Sequence, residues 1–301
     1  MSRRVTIAIA AVLLAAVRVT ADWPQFLGPD RNDAYRGTPI VTTFPASGPK
    51  VVWSTKVGQG LAGPVVVGNR LILFHRVGVR EVVESRDVAS GATQWQYGYP
   101  TAYRDDFGFD EGPRAVPVVV DGIVYTFGAE GQLHAVSLDR GQRLWSENTA
   151  QKFGVPKGFF GAAGSPLVEN GRVMANIGGT KSGIIAFSAR KGAVEWTATE
   201  DAASYSSPIA AAIGGQRYAI FLTRAGLVGL DPANGTVKFQ KAWRARANAS
   251  VNAATPVVVD NLIFISAEYG PGAGVLRLDR STLTDLWSSD DGLSNHFATR
   301  V

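Results

Sequence analysis

The apolar residues beyond position 50 occur in short runs, and five of these runs open with a proline. Turn pairs such as Gly68-Asn69, Asp121-Gly122 and Asp260-Asn261 separate such a run from a second apolar run. Residues of this kind tolerate positive φ, so the pattern predicts hairpins of short antiparallel strands. The opening prolines are Pro64, Pro117, Pro166, Pro208 and Pro256.

A second pattern follows each hairpin: an Asp or Ser, then an aromatic residue eight positions later. The pairs are Asp87/Trp95, Ser137/Trp145, Ser188/Trp196, Asp231/Phe239 and Asp279/Trp287. Four of them carry a glycine four residues before the aromatic, namely Gly91, Gly141, Gly192 and Gly235, whereas Leu283 takes that place in the fifth. The Asp or Ser side chain can bond to the turn backbone, the glycine supplies a positive φ, and the ring packs on a neighbouring sheet.

The first residues of these units are separated by 50, 51, 43 and 48 positions. Repeats of about 40–50 residues with four short strands each are typical of β-propeller blades. The chain lacks the 3.6-residue apolar period that a helical solenoid needs. The sequence therefore predicts an all-β propeller of four-stranded blades.

The repeat resembles the tryptophan-docking repeat of quinoprotein-like propellers, the pyrroloquinoline-quinone-type family. The segments that carry the resemblance are 135–145 (AVSLDRGQRLW) and 229–235 (GLDPANG), the second followed by Phe239 in the place of the tryptophan. The likeness covers residues 51–301 and extends to the propeller subunit of the outer-membrane barrel-assembly machinery. It implies a ring, but it implies little about activity, because propellers host many functions.

Residues 51–54, with Trp53, read as an outermost strand that precedes its partners. In propellers of the resembled type such a strand completes the last blade, and the ring closes with seven or eight blades. Five complete repeats follow here, and a partial sixth begins near residue 295. The expectation is about five complete blades plus partial ones, from a truncated seven- or eight-bladed ring; the alternative is a six-bladed ring with one incomplete blade.

The N-terminus has the form of a signal peptide. Arg3 and Arg4 precede an apolar segment, residues 5–17, and Val19-Thr20-Ala21 fits a cleavage site. We expect residues 1–21 to be removed near Ala21, residues 22–50 to pack on the propeller, and the product to be periplasmic or secreted. An uncleaved anchor is the alternative.

The charge and the cysteine content argue against several kinds of partner, metal site and membrane anchor. The net charge of +5 falls to +2 without Arg3, Arg4 and Arg18, too little to indicate nucleic-acid binding. The chain of 301 residues has no cysteine, which excludes a disulfide, a thiolate metal site and a lipidated cysteine anchor. After cleavage we expect no transmembrane span.

The segment 103–114 interrupts the repeats and holds four acids. Asp105, Asp106, Asp110 and Glu111 could together supply oxygen ligands to calcium. The alternative, which we favour, is a structural loop whose acids pair with Arg104 and Arg114.

A second connection, residues 153–164, combines glycines with Phe153, Phe159 and Phe160. These rings could stack on a ligand, or they could pack into the mouth of the channel, which we favour.

The three histidines, His75, His134 and His296, lack metal-ligand spacing.

Two functions fit the sequence. The first is a non-catalytic scaffold that binds protein partners in the cell envelope. The second is a pyrroloquinoline-quinone-dependent dehydrogenase for alcohols or sugars, or a remnant of one, which would need the quinone and calcium. We expect no catalytic residue under the first function and cannot assign one by motif under the second.

Overall fold

The computed structural model describes residues 22–35, 37, 39–247, 252–295 and 297–298. The signal peptide predicted at residues 1–21 and His296 lie outside this part of the chain. The described residues form five four-stranded antiparallel sheets, each built from strands consecutive in the sequence. This arrangement confirms the prediction of an all-β propeller with four-stranded blades.

Each blade takes four strands in chain order. Blade 1 contains β1 Val65–Val67, β2 Arg70–Val77, β3 Arg80–Asp87 and β4 Thr93–Pro100. Blade 2 contains β5 Val118–Val120, β6 Ile123–Phe127, β7 Gln132–Ser137 and β8 Arg143–Asn148, and blade 3 contains β9 Leu167–Glu169, β10 Arg172–Gly179, β11 Ser182–Ser188 and β12 Val194–Ala198. Blade 4 contains β13 Ile209–Ile213, β14 Gln216–Leu222, β15 Gly226–Leu230 and β16 Val237–Ala242, and blade 5 contains β17 Val257–Val259, β18 Leu262–Ala267, β19 Gly272–Asp279 and β20 Thr282–Ser289.

Two local expectations differ from the structure. Residues 51–54 do not form a strand, although Trp53 still packs on blade 1. The connection expected at 153–164 begins inside a short helix, α1 Thr149–Phe153, which Asn148 caps by accepting a hydrogen bond from the Gln151 backbone N–H. No helix in the part of the chain that the structure describes is long and apolar enough to cross a membrane.

The antiparallel order gives each blade two different ends. Turns between first and second strands, and between third and fourth strands, lie at one end. Turns between second and third strands share the other end with the connections from one blade to the next. We call this second end the loop face.

The repeated aromatics join neighbouring blades. The indoles of Trp53, Trp95, Trp145 and Trp196 cover the glycines at 91, 141, 192 and 235, each in the blade that follows. A methyl group built on three of these glycines would meet the ring at 2.6 Å (Gly91), 2.7 Å (Gly192) and 2.5 Å (Gly235). Each indole Nε1–H also donates to a backbone carbonyl oxygen three residues before the glycine, at 2.8 Å (Val88), 2.9 Å (Leu138), 2.8 Å (Ala189) and 3.3 Å (Pro232).

A bulge beside each aromatic sets the ring's position. In all five blades the register between the third and fourth strands shifts next to the residue opposite the aromatic, for example between Ala135 and Val136 opposite Trp145. A bulge bends and twists a strand locally, which re-aims the neighbouring side chain. In blade 4 the smaller ring of Phe239 shares an apolar cluster with Leu283, which stands in blade 5 where the other blades have glycine.

Residues 22–33 enter the centre of the ring. Trp23 bridges to Val66 of β1, and the Val119 N–H of blade 2 donates to the Pro24 carbonyl. The buried guanidinium of Arg31 donates to the carbonyl oxygens of Pro208 (2.7 Å) and Pro166. The segment thereby contacts β1 and β5 of blades 1 and 2 and the residues immediately before β9 and β13 of blades 3 and 4.

Candidate binding face

Three connections between blades meet at the loop face and bring aromatic rings together. Phe107 and Phe109 come from the connection after blade 1, Phe159 and Phe160 from the one after blade 2, and Tyr205 from the one after blade 3. Their ring centroids lie 5.2 Å (107–160), 5.6 Å (160–205) and 6.2–6.3 Å apart (107–109, 107–159 and 109–160). We call these residues the phenylalanine cluster. Phe109 is 74% exposed, and Phe107 and Phe159 are also exposed, so the cluster opens to solvent.

Tyr205 links the phenylalanine cluster to the connection after blade 4 through two hydrogen bonds. Its hydroxyl accepts a hydrogen bond from the Phe160 backbone N–H at 2.8 Å, and its own N–H donates to the Asn252 carbonyl at 3.0 Å. Burial raises its pKa, so the phenol stays neutral near neutral pH. In the sequence, the only signal of Tyr205 is its place just before Ser206-Ser207-Pro208, which leads into the inner strand β13.

The four acids considered for calcium are engaged in turns and ion pairs. The Asp105 carboxylate accepts from the backbone N–H of Phe109 and Asp110, which lowers its pKa against a desolvation effect that raises it. Asp106 pairs with Lys157, and Asp110 accepts from the N–H groups of Gly60 (3.2 Å) and Gly112 (2.7 Å).

Glu111 accepts from Arg104 and lies 3.4 Å from the buried guanidinium of Arg76. The expected pairing of the acids with Arg114 is not found: its guanidinium donates to the backbone carbonyl oxygens of Gly112 and Asp110. Within the described part of the chain, no three His, Asp or Glu side chains gather closely enough to hold a metal ion.

Two cations flank the ring of Tyr103 behind the cluster. The Arg114 guanidinium lies 4.8 Å from its centroid and the Lys157 ammonium 5.7 Å from it. Burial raises the pKa of Tyr103 to about 12, so the phenol stays neutral. Cations held over a ring in this way stabilise the loop that carries it.

A cavity of about 700 Å³ lies where the first strands of the blades begin, beside the N-terminal segment. Trp23, Phe26, Phe109 and Phe160 supply apolar walls to this hub cavity. Polar groups come from Ser165 and Ser207, whose hydroxyls already accept backbone N–H bonds from Val116 (2.8 Å) and Ser165 (3.0 Å), and from Gln25, Asp33, Arg114 and Tyr205.

The described lining of the hub cavity does not fit a calcium–quinone pair. A flat aromatic quinone could stack on Trp23 or Phe160, but calcium takes six to eight oxygen ligands, commonly carboxylates. Asp33 is the one carboxylate among the described lining residues, and both terminal nitrogens of Arg114 already bond to backbone oxygens.

A buried polar network lies between blades 1 and 2. The Tyr99 hydroxyl donates to Glu81 at 2.6 Å, and the Tyr99 ring stacks on His134 with centroids 3.9 Å apart. The His134 Nδ1 lies 3.0 Å from the Tyr97 hydroxyl. Burial raises the pKa of Glu81, and burial lowers that of His134 to about 4, so His134 is neutral near neutral pH.

The fold is similar to two solved structures. One is a quinohemoprotein alcohol dehydrogenase from Comamonas testosteroni, with a TM-score of 0.59 and 19% identity over 89% of this chain and 49% of that chain. The other is BamB from Moraxella catarrhalis, with a TM-score of 0.56 and 18% identity over 80% of this chain and 64% of that chain. At these identities the likeness establishes the fold alone.

In sequence the chain is similar to the quinohemoprotein alcohol dehydrogenase ADH-IIG of Pseudomonas putida. The two are 31% identical over 156 residues, which is 48% of this chain and 21% of that protein. The chain thus spans about a fifth of this curated relative.

A family model matches most of the chain in two overlapping segments, residues 34–155 and 79–299. Its description is outer membrane protein assembly factor BamB. The match covers the same blades that carry the aromatic repeats, in agreement with the resemblance drawn from those repeats. The chain therefore belongs to this PQQ-like propeller family.

Proposed function

We propose that this chain is an exported, non-catalytic binding protein of the cell envelope whose loop face holds a polypeptide partner. The observation that carries the proposal is the phenylalanine cluster, which projects aromatic rings from the connections between blades. Rigid aromatic side chains at an exposed site are the usual anchors of protein interfaces. The signal peptide predicted at residues 1–21 and the family description support the location.

The surroundings of the cluster favour a polypeptide over a purely apolar surface. Asp106, Arg104 and Lys157 supply exposed charges of both signs next to the rings, and Asp105 adds a half-buried one. An apolar centre with a mixed polar rim is the common composition of a reversible protein interface. Covering one exposed phenylalanine stabilises a complex by about 1.5–3 kcal/mol. The fitting partner therefore presents apolar side chains flanked by polar ones.

Site-specific photo-crosslinking tests this proposal. A benzoylphenylalanine replaces Phe109, and a control chain carries it at Val237, an exposed residue at the opposite end of blade 4. After irradiation in intact cells we expect a polypeptide adduct from position 109, lost when Phe107 and Phe159 are changed to serine. Equal adducts from both positions, or none from position 109, would contradict the proposal.

The second candidate is a quinone-dependent dehydrogenase, or a remnant of one. The 31% identity to the alcohol dehydrogenase of Pseudomonas putida over 156 residues favours it, whereas the lining of the hub cavity does not. Mixing the purified chain with pyrroloquinoline quinone and calcium, then following dye reduction with alcohols and sugars, tests it. Turnover that is lost on calcium chelation would establish this candidate in place of the binding protein.

A further inference from the structure

A second cavity, of about 480 Å³, lies at the loop face and is separate from the hub cavity. The turns between second and third strands of blades 2 and 4 line it through Glu130 and Arg224, and the end of β10 in blade 3 lines it through Gly178. Connections between blades form its walls, through Lys157 and Ala203 among others. Among the described lining residues, Ala163 and Tyr205 alone are common to both cavities.

The charged side chains that line this loop-face cavity are mostly cationic: Arg104, Lys157 and Arg224 against Glu130. The carboxylate of Glu130 is already committed, since it accepts from the Thr101 hydroxyl at 2.7 Å and from the Ala102 N–H at 2.9 Å. The partners of Lys157 and Arg104 are Asp106 and Glu111, which do not line the cavity. Exposed ion pairs of this kind are weak and exchange readily.

An anion bound in the cavity would stabilise the charged form of Arg224, which lines it. Burial lowers its pKa, and the positive charge of Arg244 lowers it further. Its guanidinium donates a hydrogen bond to the carbonyl oxygen of Ala247 at 3.4 Å, so it is held at the edge of the cavity. A bound anion would offset both the burial of the guanidinium and the repulsion between the two arginines.

The remaining walls are apolar and include aromatic rings. Phe127 and Ile177 are buried in the cavity wall, and the exposed ring of Phe159 stands at its rim. The volume falls in the range of about 300–1,000 Å³ that small-molecule sites occupy. Apolar walls with a few cationic groups suit a ligand that has a flat apolar body and one acidic group.

We propose that the loop-face cavity binds a small aromatic anion of one or two rings, a carboxylate or a sulfonate. Its charged group lies between Arg224 and Lys157, and its ring packs on Ile177 and Phe159. The site borders the proposed polypeptide interface, since Phe159 and Lys157 belong to both, but Ile177 and Arg224 belong to the cavity alone.

Calorimetric titration of the full chain with 2-naphthoate tests this proposal, with the uncharged 2-naphthalenemethanol as the matched probe. We expect the carboxylate to bind at least about tenfold more tightly, since one ion-paired group is worth about 1.4 kcal/mol or more in a half-buried site. Arg224→Gln and Lys157→Gln should each weaken naphthoate binding by about fivefold or more. Ala203→Leu, which fills the cavity, should abolish binding of both probes.

The control is Arg217→Gln, which removes the same charge from a residue paired with Glu169, outside the cavity. It should leave naphthoate binding unchanged. Equal affinity for the two probes, an equal loss in Arg217→Gln and Arg224→Gln, or a loss in Phe109→Ser with none in Lys157→Gln would overturn the proposal. Lys157 is exposed, so its variant should fold even if Arg224→Gln does not.

Discussion

The indole of Trp95 in blade 1 covers Gly141 of blade 2 and donates its Nε1–H to the Leu138 carbonyl oxygen at 2.9 Å. The same relationship recurs between Trp145 and Gly192. A side chain at either glycine would overlap the ring, and φ at both is positive, +68° and +69°. Each glycine therefore meets a steric and a conformational requirement at once.

Gly141→Ala should lower the free energy of unfolding by about 2–4 kcal/mol, because it adds overlap with the Trp95 ring to the strain of positive φ. The matched control is Gly122→Ala, where φ is +73° but no atom lies within 4 Å of an added methyl group. The control should lose only about 1 kcal/mol. Denaturant unfolding measures both, and equal losses would show that the ring contact contributes nothing.

Trp145→Ala should cost about 3–5 kcal/mol, since it empties a packed site between blades 2 and 3. Trp287 occupies the equivalent position in blade 5 but is 41% exposed, whereas Trp145 is 9% exposed. Trp287→Ala should therefore cost no more than about 1.5 kcal/mol. The comparison is made by thermal unfolding, and a Trp287 loss as large as that of Trp145 would contradict the packing described here.

Arg31→Met should destabilise the ring by about 2 kcal/mol, because it leaves the buried carbonyls of Pro166 and Pro208 without a donor. Arg140→Met, at an exposed arginine paired with Asp139, serves as the control and should change stability by less than about 0.5 kcal/mol. Urea unfolding distinguishes the two variants. Identical unfolding midpoints would mean that the hydrogen bonds from Arg31 to blades 3 and 4 do not stabilise the fold.

His134 should make the fold sensitive to acid. Its pKa is about 4 in the folded chain against 6.5 for an ordinary histidine, because burial disfavours the charged ring. The unfolded chain takes up the proton first, so the contribution is complete above pH 6.5 and is lost as pH falls towards 4. The full loss in the free energy of unfolding is about 3 kcal/mol.

The measurement is the difference in unfolding free energy between wild type and His134→Gln at several pH values. Relative to the variant, the wild type should lose about 3 kcal/mol between these limits. A pH-independent difference would show that His134 is not the group responsible.

The blade pattern could be predicted because it is local. The proline that opens each inner strand, the Asp or Ser that begins each turn and the aromatic eight residues later all act within a few residues of each other or at one repeat distance. Phe239 and Leu283 depart from the repeat, and both departures are visible in the sequence. That they pack together could not be predicted, because they lie 44 positions apart and share an apolar cluster only when blades 4 and 5 pack.

The loop face could be predicted only in part. Segments 103–114 and 153–164 stood out because they break the repeat, but the sequence could not show that Phe107 would meet Phe160. Arg31 gave no signal, since its partners are backbone carbonyls more than a hundred residues away. Contacts with backbone atoms leave no pattern in the side chains.

The affinity of the polypeptide captured at position 109 for three purified chains tests the proposed binding face most directly. These are the wild type, Phe109→Ser and, as the control, Val237→Ser. We expect Phe109→Ser to weaken binding by about tenfold or more, equivalent to about 1.4 kcal/mol, and Val237→Ser to leave it unchanged. Equal affinities for all three chains would contradict the assignment of this face as the binding site.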